Sequence, residues 1–259
     1  MIILNHPQGS EDWLQARVGA CTASRFTDAR GKLSKASKNG NAGDTNGDAI
    51  KYAWLIAMET IARKPLDDTF VTYAMRRGRD LEPQARAIYE RRTGAWIDEV
   101  SLILTDDERF GYSADGFRDD DGLIEIKCPR AADKLGQVWE HPETAHLEYI
   151  DQINGGLWIT GRKYCDLIVY CDWLAPVGKD LFVKRIYRDE AAIEALESDL
   201  LSFIRMVDKY LAILRAPTKM SGAPAESPEP AQSIAPPWEA PALPAATGAA
   251  TLPENIFAF

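Results

Sequence analysis

The order of apolar patterns between residues 48 and 215 limits the fold more than any other feature of this chain. Two helical patterns come first. In "DAIKYAWLIAMETIAR" (48–63), Ile50, Ala53, Trp54, Ala57, Met58 and Ile61 recur at helical spacing, with Asp48 placed as N-cap. In "RDLEPQARAIYERRTG" (79–94), Leu81, Ala85, Ile88 and Tyr89 make one face, and Gly94 is a C-terminal stop. Strand patterns follow at "EVSLIL" (99–104), "FGYSADGF" (110–117) and "GLIEIKC" (122–128), the last two joined by a hairpin signal, "RDDD" followed by Gly122. A helix spans 144–161 with Leu147, Ile150, Ile153, Leu157 and Trp158 on one face, although Gly155 and Gly156 weaken it. Strands at 164–173 and 181–187 and a helix at 189–215 complete the series. Helices before and after a small set of strands specify one α/β domain with a mixed central β-sheet flanked by helices.

From residue 216 onward the pattern stops. Nine of the 15 prolines fall in this segment, among many alanines. Such a composition buries too little apolar surface to offset its ordering entropy, so the expected organisation is a folded domain at 1–215 and a disordered Pro/Ala-rich tail at 216–259. The tail ends in the apolar "ENIFAF", either a frayed end or a docking peptide. No apolar run approaches the ~18 residues of a membrane span, and the first residues lack the pattern of a secretory signal. The four cysteines (Cys21, Cys128, Cys165, Cys171) form no CxxC pair, which disfavours a zinc ribbon or disulfide scaffold and suits a reducing cytoplasm. A net charge of −9 argues against a basic coat for nucleic acid. It leaves room for a basic groove and for carboxylates gathered to hold cations. A locally basic loop does occur at 31–48, with Lys32, Lys35, Lys38 and neighbouring Arg30. It is either a solvated loop or a nucleic-acid contact.

The stretch "GLIEIKCP" (122–129) raises the chemical question. Glu125 and Lys127 lie two apart in an apolar strand and so point to the same side. Pairing around the hairpin turn brings Asp115 close to Glu125. Two carboxylates that close are costly unless a hard divalent cation such as Mg²⁺ holds them. Glu82, in the helix upstream, can supply a third. A lysine beside the cation can orient or deprotonate an attacking water and neutralise charge on a phosphate, which is phosphodiester hydrolysis. Taken alone, the trio also fits an ordinary ion pair on an exposed hairpin.

Asp…(Glu/Asp)-x-Lys on consecutive strands, after a helix bearing Glu, resembles the PD-(D/E)XK nuclease superfamily, with its restriction-endonuclease-like core. More closely, the chain resembles the phage lambda exonuclease, or YqaJ-type viral recombinase, family. The matching stretches are "WLQARVGACTASRF" (13–26), "RGRDLEPQARAIYERRTG" (77–94), "GYSADGF" (111–117), "IEIKCP" (124–129) and "YIDQINGGLWITG" (149–161), in the family's order. Ala114 stands where the superfamily pattern has a proline that is not a ligand. The resemblance implies that Asp115, Glu125 and the Ile126 carbonyl bind metal, that Glu82 joins them, that Lys127 is the catalytic lysine, and that Gln152 lies beside the reacting phosphate. It implies that Arg17, Ser24 and Ser113 collect a 5′-phosphate. Trp13, in the first of these stretches, is either a core anchor or a DNA contact.

The implied activity is Mg²⁺-dependent degradation of linear double-stranded DNA, 5′ to 3′, leaving 3′ overhangs for phage-type recombination, with Mn²⁺ as a substitute cation. The implied setting is a homotrimer ring, encoded by phage or prophage, in the cytoplasm of a bacterial host with a single-strand annealing recombinase as partner. The stretch 130–146 matches poorly: Asp133 falls where a basic contact is expected, with Arg130 as substitute, and His141 and His146 are expected in loops. Two other readings stay open. One is a structure-specific or RecB-type endonuclease of the same fold, the other a non-catalytic DNA-end-binding adaptor.

Overall fold

The computed structural model describes residues 1–36, 38, 40–66 and 73–217. Contacts divide the chain into Met1–Ala216 and Pro217–Phe259. Apart from Pro217, the second unit lies outside the described residues, and with it the expected disordered tail and the "ENIFAF" segment.

In chain order the strands are β1 (Ile2–Leu4), β2 (Cys21–Thr22), β3 (Ile97–Asp98), β4 (Leu102–Leu104), β5 (Phe110–Tyr112), β6 (Gly116–Arg118), β7 (Gly122–Lys127), β8 (Tyr164–Tyr170) and β9 (Leu181–Tyr187). The helices are α1 (Glu11–Ala16), α2 (Phe26–Ala29), α3 (Gly47–Ala62), α4 (Tyr73–Thr93), α5 (Ala132–Glu140), α6 (Ile150–Thr160) and α7 (Glu190–Arg215). The main sheet has the order β3-β6-β7-β8-β9 and is mixed: β7 and β8 run parallel, the other pairs antiparallel. Parallel neighbours cannot be joined by a tight turn, and the connection from β7 to β8 passes through α5 and α6. The α/β architecture with a mixed sheet flanked by helices is therefore as expected.

Two sheets form rather than one. A second sheet has the order β1-β4-β5-β2, with β2 parallel to β5. The expected strand at 110–117 is thus two strands in different sheets, β5 and β6, separated by Ser113, Ala114 and Asp115. The expected strand at 99–104 is limited to β4 at its end.

The alternation along β7 assigns its side chains to two cores. Leu123, with Leu167 and Val169 of β8, packs in a core with residues of α3, α6 and α7. Ile124 and Ile126, with Ile168 and Tyr170, pack instead with Ala85 and Tyr89 of α4. The chain that links α4 to β3 turns at Gly94, whose φ of +68° favours glycine, as the sequence pattern anticipated.

Several helical details differ from expectation. In α3 the buried residues are Ala49, Tyr52, Ala53, Ile56 and Ala57, whereas Ile50, Met58 and Ile61 are exposed. Small alanines beside Tyr52 and Ile56 let the helix approach the core closely, so the buried face is rotated away from Ile50, Met58 and Ile61. The N-cap is Asn46 rather than Asp48: its side-chain oxygen accepts from the backbone N–H of Asp48 (3.1 Å) and Ala49 (2.9 Å). The helix expected from 144 begins at Ile150 after a 3-10 turn, leaving Leu147 exposed.

Candidate active site

The site is built where β6 and β7 pair. Gly116 lies opposite Ile124, so Asp115, one residue before β6, comes beside Glu125 and Ile126. The Ile126 N–H donates to Asp115 Oδ2 at 2.6 Å. Glu125 and Lys127 share one face of β7, the face covered by α6. From α6, Gln152 donates through Nε2 to Glu125 Oε1 (2.6 Å) and accepts at its own Oε1 from Lys127 Nζ (3.0 Å). Lys127 Nζ is 2.7 Å from Glu125 Oε1. On the other carboxylate oxygen, the Tyr112 hydroxyl donates to Glu125 Oε2 at 2.9 Å. Glu125 is only 2% exposed, yet its charge meets three protein donors.

The electrostatics follow from burial and like charge. Desolvation, then the Glu125 charge, then Glu82, push the Asp115 carboxyl well above its ordinary pKa. Glu82 is also raised, by burial first and Glu125 second, which places the α4 glutamate in the field of the same site. Burial alone would lower Lys127, but the charges of Glu125 and Asp115 outweigh it and hold the ammonium protonated. The site therefore combines a cation with more carboxyl groups than that cation can neutralise.

Among the described residues, no three His, Cys, Asp or Glu side chains converge into a preformed metal-holding group. The donor chemistry still fits a hard divalent ion. Asp115 and Glu125 are buried oxygen donors whose mutual repulsion such an ion would relieve. No hydrogen bond among the described residues reaches Asp115 Oδ1.

The residues expected at a phosphate lie around the neighbouring sheet: Arg17 caps α1, Ser24 is in the turn after β2, and Ser113 follows β5. Parallel pairing of β2 with β5 sets Thr22 opposite Gly111, which brings the turn Ala23–Arg25 alongside the segment that starts at Ser113. Arg17 donates to Thr22 Oγ1 (3.0 Å), and its guanidinium lies 4.1 Å from the centre of the Trp13 ring. Burial lowers the Arg17 pKa from its ordinary value. Trp13 itself is buried, as a core anchor is. Ser24 is exposed, and the Ser113 hydroxyl is buried with no hydrogen-bond partner among the described residues.

The basic loop is arranged differently. Arg30 pairs with Asp151 (2.5 Å) and Asp199 (3.0 Å), and Lys32 lies 3.9 Å from Asp199, so the base of the loop is tied to α6 and α7. Lys35 and Lys38 are exposed. Arg130 and Asp133 are exposed around the start of α5, a helix the sequence pattern did not reveal. His141 is exposed and His146 half-buried, both between α5 and α6.

Sequence reasoning missed three supporting residues. Tyr112 reads as a core aromatic in a strand, and only its hydroxyl contact reveals more. Arg86, one turn after Glu82, donates to the Asp115 carbonyl (3.0 Å) and pairs with Glu99 (2.7 Å). Tyr149 places its ring 5.3 Å from Lys127 Nζ. Gly155 and Gly156 do not weaken α6. A Cβ on Gly155 would lie 2.4 Å from the Phe26 ring, and one on Gly156 would lie 2.7 Å from the Tyr112 ring. Both glycines permit the close approach of α6 that brings Gln152 to Glu125.

The fold is similar to those of solved exonucleases. Structures of an alkaline exonuclease from Laribacter hongkongensis (LHK-Exo) superpose with a TM-score of 0.66 at 32% identity, covering 79% of this chain and 96% of that one. Its complex with dAMP gives 0.63 at 34% identity over the same shares. A phage-related exonuclease from Haemophilus somnus 129PT, at 13% identity with a TM-score of 0.59, covers 75% of this chain and 96% of that one and shares the fold. No curated protein sequence matches. Among the described residues no helix is long and apolar enough to cross a membrane. The family profile described as a YqaJ-like viral recombinase domain matches residues 12–163, and the chain belongs to that family.

Proposed function

We propose that the protein is a divalent-cation-dependent exonuclease that degrades one strand of linear double-stranded DNA from the 5′ end, leaving a 3′ overhang for phage-type recombination. The observation that carries this reading is the buried Glu125 carboxylate, held by Lys127, Gln152 and Tyr112 beside Asp115. An exposed surface ion pair has no need of three donors and almost complete burial. Kinship with an alkaline exonuclease supports the same class of reaction.

In this reading Asp115, Glu125 and the Ile126 carbonyl hold the cation, with Glu82 from α4 adding charge, and Mg²⁺ is the proposed ion. When bound, it supplies Lewis-acid stabilisation of the phosphate and lowers the pKa of the attacking water. Lys127, kept protonated by its carboxylate neighbours, neutralises charge on the phosphoryl oxygens. Gln152 fixes the lysine and Glu125 relative to each other. Arg17, Ser24 and the Ser113 hydroxyl, which has no partner among the described residues, offer donors for a terminal 5′-phosphate. Lys32, Lys35 and Lys38 are exposed loop cations available to a DNA backbone, Lys32 also lying 3.9 Å from Asp199. A trimeric ring, with acid outside and these groups inside, reconciles a sequence pI near 5.0 with DNA binding.

The test is digestion of 5′-phosphorylated linear duplex and closed circular duplex with Mg²⁺, with Ca²⁺ or with chelator. Linear duplex alone should be consumed, and only with Mg²⁺; Lys127→Ala and Glu125→Ala should abolish it. Cutting of the circle would favour an endonuclease, and binding of ends without cleavage would favour an adaptor. Unchanged digestion by either variant would remove the site assignment. Residues 216–259 are proposed as a tail that docks a single-strand annealing partner, so deleting them should weaken that association and spare digestion.

A further inference from the structure

We infer that Tyr112 is a positioning residue that fixes the Glu125 carboxylate and leaves its Oε2 as the oxygen open to a divalent cation. The inference rests on the cation site proposed above and refines it to individual atoms.

An ionised carboxylate offers about four lone-pair sites, two on each oxygen. At Glu125 Oε1 both are taken, one by Gln152 Nε2 at 2.6 Å and one by Lys127 Nζ at 2.7 Å. Among the described residues Oε2 accepts only the Tyr112 hydroxyl, at 2.9 Å, so one lone pair remains there. On the facing residue, Asp115 Oδ2 accepts the Ile126 N–H, and Oδ1 accepts nothing among the described residues. Each carboxylate is thus anchored by a protein donor and keeps an oxygen site for a further ligand. Without the phenol, Glu125 could turn about its terminal torsion and present a different oxygen.

The surroundings are shaped to hold this phenol in place. Tyr112 is 0% exposed and ends β5, immediately before the segment that leaves the second sheet. Its ring lies against Gly156 of α6 so closely that a Cβ there would approach the ring atoms to 2.7 Å. Gly156 leaves the space, the ring fills it, and the hydroxyl reaches Glu125. A buried tyrosine commonly finds some partner for its hydroxyl. Here the partner is the carboxylate that the proposed chemistry needs.

A merely structural tyrosine and a positioning one predict different measurements. Ca²⁺ binding by calorimetry to the full chain reads the site without turnover, and the Mg²⁺ dependence of digestion reads it with turnover. Tyr112→Phe keeps the ring and removes the donor. It should weaken Ca²⁺ binding and raise the Mg²⁺ midpoint by about tenfold, the scale of one hydrogen bond to a charged group. The rise in the Mg²⁺ midpoint should exceed any fall in kcat, which separates weakened cation binding from lost chemistry. Gly156→Ala, which displaces the ring and the helix that carries Gln152, should weaken Ca²⁺ binding likewise, and parent-like binding by it counts against Tyr112 if Tyr112→Phe does not fold. Parent-like Ca²⁺ affinity in these variants, with Glu125→Gln impaired, overturns the role of Tyr112 alone. Failure of the parent to bind Ca²⁺, or normal binding by Glu125→Gln, overturns the cation site and this inference together.

Discussion

Replacing Asp166 with asparagine should be among the most damaging single changes outside the site. Asp166 lies on β8, is 1% exposed, and faces α4. It accepts two hydrogen bonds from Arg185 (2.7 and 2.8 Å), one from Arg118 (2.6 Å) and one from the Tyr89 hydroxyl (2.5 Å). Removing one partner of a buried ion pair typically costs ~3–5 kcal/mol, because the remaining charge is left without compensation. The Arg118 and Arg185 side chains are 21% and 33% exposed and can recruit water, which places the expected loss at the lower end, about 3 kcal/mol. For a domain of this size that corresponds to a fall in Tm of roughly 6–12 °C. Urea unfolding and calorimetry measure both quantities.

The acid dependence gives a second check. Burial would raise the Asp166 pKa, but the hydrogen bonds from Arg185, Tyr89 and Arg118 outweigh it and hold the carboxyl below its ordinary value. Its contribution is therefore full above an unfolded-state pKa of about 3.9 and is lost as pH falls through the lower folded-state value. The gap between parent and Asp166→Asn should be constant at neutral pH and close in acid. A gap under about 1 kcal/mol at pH 7, or one that persists in strong acid, would refute the argument.

Asp115 titrates in the opposite sense. Its folded-state pKa is raised, so the cation-free protein binds an extra proton and loses stability as pH rises above the ordinary carboxylate range. Asp115→Asn should flatten that decline in chelator, and saturating Ca²⁺ should flatten it in the parent; differential scanning fluorimetry across pH reads both. Arg17→Ala should erase any preference for 5′-phosphorylated over 5′-hydroxyl ends, measured by competing the two duplexes, with little effect on the digestion of either once engaged. Gly155→Ala should cost about 1–3 kcal/mol in urea unfolding, since its Cβ would meet the fully buried Phe26 ring at 2.4 Å.

The elements that form the candidate site were legible because their signals are local. Alternation along Gly122–Lys127 put Glu125 and Lys127 on one face, and the adjoining hairpin brought in Asp115. What escaped depends on contacts between distant segments. The buried face of α3 holds Ala49, Tyr52, Ala53, Ile56 and Ala57; helical spacing found Ala53 and Ala57 but added Ile50, Met58 and Ile61, which are exposed. The stretch Phe110–Phe117 has continuous strand character, and nothing local says that the chain changes sheets at Ser113. The role of Tyr112 depends on Gly156, 44 residues later in the numbering, and on a hydroxyl direction that no periodicity encodes. The Asp166 cluster draws on β6, β8, β9 and α4 at once.

The change of sheets at Ser113–Asp115 sets a length. Two residues of chain reach at most about 7 Å even when fully extended, and they are tethered at one end to β5 and at the other to β6. On the proposed roles, the serine hydroxyl meets the terminal phosphate and the aspartate faces the bond to be cut. Their separation then acts as a gauge, short enough to admit one nucleotide between the end and the cleavage point. On those proposed roles the expected product is a mononucleotide, because the chain at the seam between two sheets keeps the two residues within that reach. Inserting a single residue between Ser113 and Asp115 should therefore alter the size of the product before it alters the chemistry.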